Sequence, residues 1–548
     1  MCFILTHGRA KCYNCDMKYK YFGNQEKGIK PLNNLYPGIK SPRKLYNALS
    51  HIWCVESCAP RMREQWSKEN KTLGQCSITS FLVQDIFGGE VYGVKLPDGA
   101  YHCFNVVDGK MFDLTSEQFG EEKLEYTLEY PQTREEHFAS EEKKLRYEFL
   151  KEELDKYSKK TYKRNKIIFI AGMSVAGVVA TLVTFVIGYV GYVLLSYNRI
   201  GDQKLDVQRH SSLTEVTVGE TYKALTYNIG FGAYSQDYTF FLDTGYDRDG
   251  NETCGHWSKA RSKDEVLYNT DGAISLAKDT ESDFIFFQEV DTDSTRSYHV
   301  NQYDKIVDKF DSFDNVFAKN FHSAYLPYPL YDMHGKVNAG LTTVSKYQIQ
   351  NAERKQYTIS DSLSKLFDLD RCFSVSEINV SNGKKLYIVN SHMSAYDKGG
   401  EIRTKQVAEL NKFLQEKKDS EDYVVVGGDW NHDLLTYNPE FSYTEEKIPF
   451  DVGKKVPDWV SYYFDKDGKS PLVDGYKVVA SDNYPTCRNN DIEYQPGESF
   501  VCVVDGFIVS ENIQVVSHAN IQSPEGNKGV KGFAYADHDP AQLEFKLL

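Results

Sequence analysis

Residues 167–197 read IIFIAGMSVAGVVATLVTFVIGYVGYVLLSY, without one charged side chain. A helix needs about 20 mainly apolar residues to cross the hydrocarbon core of a bilayer, and this run is longer. Ser174, Thr181, Thr184 and Ser196 can return their hydroxyls to helix carbonyls, while Tyr189, Tyr192 and Tyr197 suit a membrane–water interface. A core helix of a soluble protein rarely stays uncharged for so long. A cleavable signal peptide would stand at the N-terminus rather than behind what reads as a folded domain. The stretch is read as a mid-chain membrane anchor, and it divides everything else.

The flanks give the orientation. Lys151, Lys156, Lys159, Lys160, Lys163, Arg164 and Lys166 precede the anchor; over a similar distance only Arg199, Lys204 and Arg209 follow. Positive side chains stay on the cytoplasmic side. The expected organisation is a cytoplasmic domain over residues 1–157, a basic juxtamembrane segment 158–166, a transmembrane helix 167–197, a stalk 198–221 and an extracellular domain 222–548. The protein would cross the cell membrane once, with the lipid bilayer as a partner; nothing in the sequence points to a protein partner.

Composition agrees with that division. A chain of 548 residues exceeds what one hydrophobic core serves. A formal net charge of −14 argues against a general nucleic-acid binder but not against an enzyme that handles phosphates through a metal. Seven cysteines (Cys2, Cys12, Cys15, Cys54, Cys58, Cys76, Cys103) precede the anchor and four (Cys254, Cys372, Cys487, Cys502) follow it, as expected of a reducing and an oxidising side. Cys487 and Cys502 are read as a disulfide or as two free thiols. Cys12 and Cys15, with Cys54 and Cys58, have spacings compatible with zinc, but lack the glycine turns of a zinc knuckle.

In the N-terminal part the informative stretch is TLGQCSITSFLVQDIFGGEV, residues 72–91. Residues 77–87 have helical periodicity, Gly88-Gly89 ends the helix, and Cys76 falls at its N-terminus, where the dipole favours a thiolate. Two short alternating runs follow, joined at Asp108-Gly109, a hairpin signal. They carry His102 and Asp113. A cysteine at a helix start facing a hairpin with His and then Asp is the layout of papain-like and transglutaminase-like thiol enzymes. A buried free cysteine beside a strand histidine is the structural alternative, which would leave a non-catalytic interaction module. Together with His51-Ile-Trp53 and ESCAPRMREQWS, the segments LGQCSITSFLVQDIFGGEV, HCFNVVDG and FDLTSEQF resemble the YunG-like proteins, and the resemblance implies a small α+β domain.

Beyond the anchor, residues 222–229, 284–290, 340–345, 373–378, 386–393, 423–427 and 500–509 read as strands, and residues 262–278 and 401–417 as amphipathic helices. The order suggests an α/β sandwich of two sheets with helices outside. Polar residues stand at the strand ends: Asn228, Glu289, His392, Asp429, Asn431, Asp505, Asp537 and His538. Singly, each has a structural explanation, as a cap, a turn or a satisfied core histidine. Together they supply carboxylates and an amide for a hard cation and two histidines for proton transfer, the equipment of phosphate-ester hydrolysis.

The series TYNIG, FQEVD, NSHMSAY, GDWN, VDGFIV and DHDP resembles the endonuclease/exonuclease/phosphatase superfamily, the DNase I-like fold. That resemblance implies a four-layer α/β sandwich and Mg²⁺-dependent hydrolysis of phosphoric esters, with Mn²⁺ as a substitute. It implies Glu289 as the principal metal ligand with Asn228 beside it, and Asp537 as a metal or histidine partner. It further implies that Asp429 and Asn431 orient water and phosphate, that His392 acts near the leaving oxygen, and that Asp505 orients His538; either Asp429 or His538 would be the base. The expected substrate is a phosphodiester. Extracellular nucleic acid is the first reading; a phospholipid, sphingolipid or inositol phosphate is the alternative, and a binding module without catalysis is disfavoured because the residue set is complete. Arg371 and Arg403 are candidate phosphate contacts or ordinary surface residues.

Overall fold

The computed structural model describes residues 20–247, 251–360, 369–395, 401–435, 463–464 and 469–548. They form two compact units, Met1–Thr184 and Phe185–Leu548. Cys12 and Cys15 lie outside the described residues.

The first unit is built on an antiparallel sheet of Glu90–Lys95, Tyr101–Val107 and Lys110–Phe112. Asp108 and Gly109 both have positive φ, at 50° and 72°. That is the backbone a two-residue hairpin turn requires, and the reason this dipeptide marks one. Helix Cys76–Phe87 buries Ile78, Phe81, Leu82 and Ile86 in a core shared with Cys103 and Phe112 of the sheet. A long helix, Glu141–Ser196, begins by laying Tyr147, Leu150 and Leu154 on that core, a stripe at helical spacing. Past Lys166 most of its apolar side chains are uncovered: Ile168, Phe169 and Phe185 are 62%, 69% and 74% exposed. This helix is long and apolar enough to cross a membrane. The hydroxyls of Ser174, Thr181 and Thr184 donate to carbonyls four residues earlier, at 2.9–3.0 Å, so no polar group points outward unsatisfied.

The second unit consists of two facing sheets. One has the order Ile513–Asn520, Ala541–Leu547, Thr221–Asn228, Phe284–Asp291, Asn338–Ser345, Asp314–His322, Val207–Gln208. The other runs Tyr476–Val479, Asp505–Ser510, Tyr423–Asp429, Lys385–His392, Cys372–Val380, Ile349–Gln356, Gln203–Lys204. Phe284, Phe286, Leu543 and Phe545 of the first meet Ile378, Ile388, Val425 and Phe507 of the second in the central core. Outside, Ala273, Ile274 and Ile306 of helices Lys263–Asp279 and Gln302–Lys309 cover the first sheet. Val407, Leu410 and Leu414 of helix Glu401–Asp419 cover the second. The result is helix, sheet, sheet, helix: an α/β sandwich in four layers.

Residues 198–221 are not a free stalk. Gln203–Lys204 pairs with Ile349–Gln356, Val207–Gln208 with Asp314–His322, and Glu215–Val216 with Cys372–Val380. Two-residue strands have no periodicity to read, so only the pairing reveals them. The buried Asp314 carboxylate holds the segment down, accepting the backbone N–H of His210 at 2.7 Å and of Ser211 and Ile349 at 2.8 Å. Asp314→Ala would strand these donors, and thermal or denaturant unfolding is expected to show a loss of about 3 kcal/mol. A loss under about 0.5 kcal/mol would mean that the anchoring is incidental. Cys487 and Cys502 face each other across a two-strand pair as free thiols.

Candidate active site

Strand register assembles the site. His392 ends its strand directly opposite Asp429, in parallel pairing, and Asp429 lies opposite Asp505 on the antiparallel neighbour. Three residues spread over more than a hundred positions thereby become lateral neighbours. From the facing sheet, Asn228 ends its own strand and donates Nδ2 to Asp429 Oδ2 at 3.0 Å, joining the two sheets at the cleft floor.

Glu289 is presented by a distortion. The pairing of Phe284–Asp291 with Asn338–Ser345 shifts between Phe287 and Val290, and Glu289 has φ 54°. A left-handed non-glycine residue costs about 1–2 kcal/mol, and such strain persists where the surroundings over-determine it. Here the bulge takes the carboxylate out of the strand's alternation and into the cleft. The carbonyls freed at the irregularity are satisfied from the other sheet: Asn390 Nδ2 donates to Phe287 O at 3.1 Å and Thr342 O at 3.2 Å. Gln288 closes the network by donating to Asn390 Oδ1 at 2.8 Å. This fully buried positioning pair was not singled out from the sequence, because polar residues inside apolar strands give no signal before their partner is known.

Above this floor lies a cleft of about 960 Å³ lined by Glu289, His392, Asp429, Asn431, Asp537 and His538. Asn228 and Asp505 stand behind it, 2% and 0% exposed. Of the two arginines noted in the sequence, Arg371 lines the cleft and Arg403 does not. Arg403 is buried beneath, donating to the main-chain carbonyl of Asn431 at 2.5 Å. Asn431, at φ 49°, also donates its N–H to Asp429 Oδ1 at 2.9 Å and its side-chain amide to Met393 O at 3.0 Å. Arg296 and Asn490 complete the lining without having been foreseen: Arg296 is paired with Asp291, and Asn490 donates to Asp537 Oδ2 at 2.8 Å.

The two histidines differ. His538 Nδ1 is 2.7 Å from Asp505 Oδ2, and its Nε2 is 3.8 Å from Asp429 Oδ2. Burial opposes a charge on this ring, but Asp505, Cys487 and Asp429 overcome it and raise its pKa well above the usual value. Burial lifts the Asp505 carboxyl to about 6 against the opposing pull of His538. His392 Nε2 is 3.3 Å from Asp429 Oδ2. Burial, then Arg371 and His538, push its pKa well down, so this ring is neutral. Its Nδ1 is buried without a hydrogen-bond partner among the described residues.

Two groupings suit a cation. The ligand atoms of Asp429, Asp505 and His538 lie within 4.8 Å of one another. There, however, Asp505 and His538 already satisfy each other. Glu289 meets the Asn228 amide at only 3.4 Å. Burial raises its pKa; Arg296 opposes this and Asp537 adds to it. Glu289 and Asp537 offer hard carboxylate oxygens to the open cleft, with the Asn228 amide behind them accepting the Gly230 N–H at 3.0 Å, and a divalent cation would relieve the cost of holding two carboxylates together.

Comparison with known proteins follows these parts. Residues 41–159 match the YunG protein family model, and residues 225–463 that of the endonuclease/exonuclease/phosphatase family. The first match includes Cys76, His102 and Asp113. The second includes Asn228, Glu289, His392, Asp429 and Asn431, while Asp505, Asp537 and His538 lie beyond it. YunG of Bacillus subtilis, an uncharacterized protein, is 31% identical over 102 residues, 19% of this chain and 85% of that protein. Among solved structures, TDP2 of D. rerio complexed with single-strand DNA product is 14% identical, covering 60% of this chain and 99% of that one, with a TM-score of 0.36. The human Nocturnin catalytic domain is 12% identical, covering 63% and 97%, TM-score 0.36. The endonuclease/exonuclease/phosphatase protein of Beutenbergia cavernae is 12% identical, covering 60% and 72%, TM-score 0.36. The chain belongs to the YunG family through its N-terminal domain, and its C-terminal domain is similar to the endonuclease/exonuclease/phosphatase family over residues 225–463.

Proposed function

We infer that the C-terminal domain is a metal-dependent phosphodiesterase, tethered by helix Glu141–Ser196 to the outer face of a cell membrane and acting on extracellular nucleic acid. The observation that carries the hydrolytic reading is that eight residues from distant strand ends come together, six lining one cleft and Asn228 and Asp505 directly behind it. Glu289, Asp537 and the Asn228 amide would hold Mg²⁺ or Mn²⁺. When bound, that ion neutralises charge developing on the phosphoryl oxygens. Asp429, receiving hydrogen bonds from Asn228 and Asn431, holds an attacking water and accepts its proton. His538, kept protonated between two carboxylates, donates to a phosphoryl oxygen, and Asp505 fixes its ring. His392, neutral, donates from Nε2 to Asp429 and steadies that carboxylate. For nucleic acid speak the aromatic rings of Phe240, Phe241 and Tyr328 along the cleft beside Arg296 and Arg371, since rings stack on bases and guanidinium groups meet phosphates.

One observation favours a phospholipid instead. The loop after Tyr325 exposes Tyr328, Leu330 and Tyr331 at 66%, 77% and 65%. Tyr189 OH donates to Tyr325 O at 2.9 Å, and Tyr325 N–H to Tyr192 OH at 3.2 Å, so this loop begins at the end of the apolar helix. A tethered domain holding such residues there would bring the cleft mouth to the lipid interface.

The full chain, purified in detergent and assayed with Mg²⁺ on plasmid DNA, RNA and phosphatidylcholine or sphingomyelin vesicles, separates the readings. Nucleic-acid cleavage abolished by EDTA is expected. Lipid cleavage that Leu330→Asp lowers about tenfold would transfer the assignment to lipid; hydrolysis undiminished in EDTA would end the metal reading. Protease added to intact cells, or to spheroplasts where a wall intervenes, is expected to remove residues beyond 198 and spare residues 1–157. Protection of the C-terminal domain would reverse the orientation.

A further inference from the structure

The phosphoesterase leaves one buried polar cluster unused, at the other end of the chain. Helix Cys76–Phe87 opens at Cys76 with no side chain capping its first N–H groups. Such an end carries partial positive charge and stabilises an anion. Cys76 is partly exposed, unlike Cys58 and Cys103, which are buried. Opposite it, the strand Tyr101–Val107 presents His102, and Asp113 follows the next strand, Lys110–Phe112.

His102 and Asp113 are each 1% exposed, and Nε2 stands 2.6 Å from Oδ2. Asp113 is held as a carboxylate by three further donors: Thr115 N–H and Oγ1 on Oδ1, both at 2.9 Å, and Tyr126 OH on Oδ2 at 3.0 Å. With its oxygens met by these donors, Asp113 accepts the Nε2 proton of the imidazole as a hydrogen bond. The other ring nitrogen, Nδ1, faces the Gln118 side-chain nitrogen at 3.3 Å, and the Cys76 thiol lies close enough to the ring to act on its charge. Phe119 stands edge-on to the ring, centroids 4.7 Å apart, and restricts its rotation. The structural alternative of a satisfied core histidine accounts for the Asp113 bond. It accounts for the Gln118 contact as well, but not for a half-open cysteine beside the ring at an uncapped helix start.

We propose that the YunG domain contains a second catalytic centre, in which Cys76 is the nucleophile and His102 the acid–base partner, Asp113 is a positioning residue, and the substrate is a carbonyl compound: an amide, ester or thioester. Cys76 Sγ bonds to the carbonyl carbon while the bond to the leaving nitrogen, oxygen or sulfur breaks. His102 Nδ1 gives its proton to that leaving atom. Water then attacks the thioester and passes a proton to His102, releasing the carboxylic acid and restoring the sulfur as thiolate. The uncapped N–H groups of the helix start are the available donors for the carbonyl oxygen.

The charges around the sulfur favour this resting state. A hydrogen bond from Cys103 lowers the Cys76 pKa, burial raises it, and His102 lowers it further, leaving it well below the usual thiol value. Burial opposes a charge on His102, but Asp113 and Cys76 raise its pKa to about 10. The remaining titratable neighbours are Cys103, raised by its hydrogen bond to Cys76 and by burial, His137, lowered by burial, and the cation Lys143.

The test uses the full chain in detergent with EDTA, iodoacetamide and p-nitrophenyl acetate, with adducts located by peptide mass spectrometry. Cys76 is expected to alkylate about 100-fold faster than Cys54 at about pH 6, with a rate level to about pH 9. Cys54 is the matched control, partly exposed but with its pKa raised by burial. p-Nitrophenyl acetate is expected to leave an acetyl group on Cys76 and to turn over. His102→Asn should slow turnover about 100-fold and make alkylation rise with pH like an ordinary thiol. Asp113→Asn should shift the pH profile without removing the acetyl adduct, a result a merely structural role would not give. Alkylation of Cys76 no faster than that of Cys54, or acetylation unaffected by His102→Asn in a chain of unchanged melting temperature, would overturn the proposal. So would a Cys76–Cys103 disulfide, formed with diamide, from a protein inert to the ester. Should His102→Asn unfold the domain, the wild-type pH profile and adduct site still decide the matter.

Discussion

Glu289→Gln is expected to lower phosphodiester hydrolysis by roughly 1000-fold, about 4 kcal/mol of transition-state stabilisation. The substitution keeps the shape and the capacity to accept from Asn228 Nδ2 at 3.4 Å but removes the charge. In the free protein that charge is held at a cost, since burial and Asp537 both raise the Glu289 pKa. The strained backbone at φ 54° has no packing purpose that glutamine would fail to serve, so the folded state should tolerate the change. The predicted signature is therefore separable: melting temperature unchanged or slightly raised, activity nearly lost, and the Mg²⁺ concentration for half-activity increased. Activity and metal requirement are measured together in a Mg²⁺ titration. A variant retaining more than about a tenth of the wild-type rate would remove Glu289 from the metal site.

His538→Ala is expected to cost about as much activity, roughly 1000-fold, but with the Mg²⁺ requirement little changed. The ring joins Asp505 at 2.7 Å to Asp429 at 3.8 Å, and its removal leaves Asp505 as a buried carboxyl without its cation. Burial alone already raises the Asp505 pKa, so in the variant it should take up a proton, and some stability should be lost as well. Asp505→Asn is the gentler probe. It keeps a hydrogen-bond acceptor for Nδ1 but withdraws the charge that keeps His538 protonated, and a fall of about 100-fold is expected. If Asp505→Asn hydrolyses at the wild-type rate while His538→Ala is inactive, the histidine acts without its carboxylate and the proposed relay is wrong.

The chemistry was legible because strand ends are where a sandwich places its polar residues, and such residues stand out after apolar runs such as YVVVGG and FIFFQ. Their partners were less legible. Arg403, read as a phosphate contact or an ordinary surface residue, is instead buried and supports the Asn431 carbonyl from below, since an arginine's role depends on where its long side chain ends. The Gln288–Asn390 network depends on a sheet-to-sheet contact that no local pattern encodes. The edge pairings of residues 198–221 were invisible for the same reason: a strand of two residues has no period.

The amino-acid sequence by itself determined the long uncharged helix, the hairpin at Asp108-Gly109, the YunG family and the eight residues named as the candidate site. These properties follow from local composition and short-range order: hydrophobic length, periodicity, turn chemistry and motif. Only the tertiary structure decided which of those residues touch. Register set His392 against Asp429 and Asp429 against Asp505, and the meeting of two sheets set Asn228 against Asp429. The same folding moved the pKa values of the two histidines in opposite directions, because a ring's pKa is set by the burial and the charges around it in space. In the N-terminal domain it likewise brought His102 to Asp113 at 2.6 Å, with Gln118 at the other ring nitrogen.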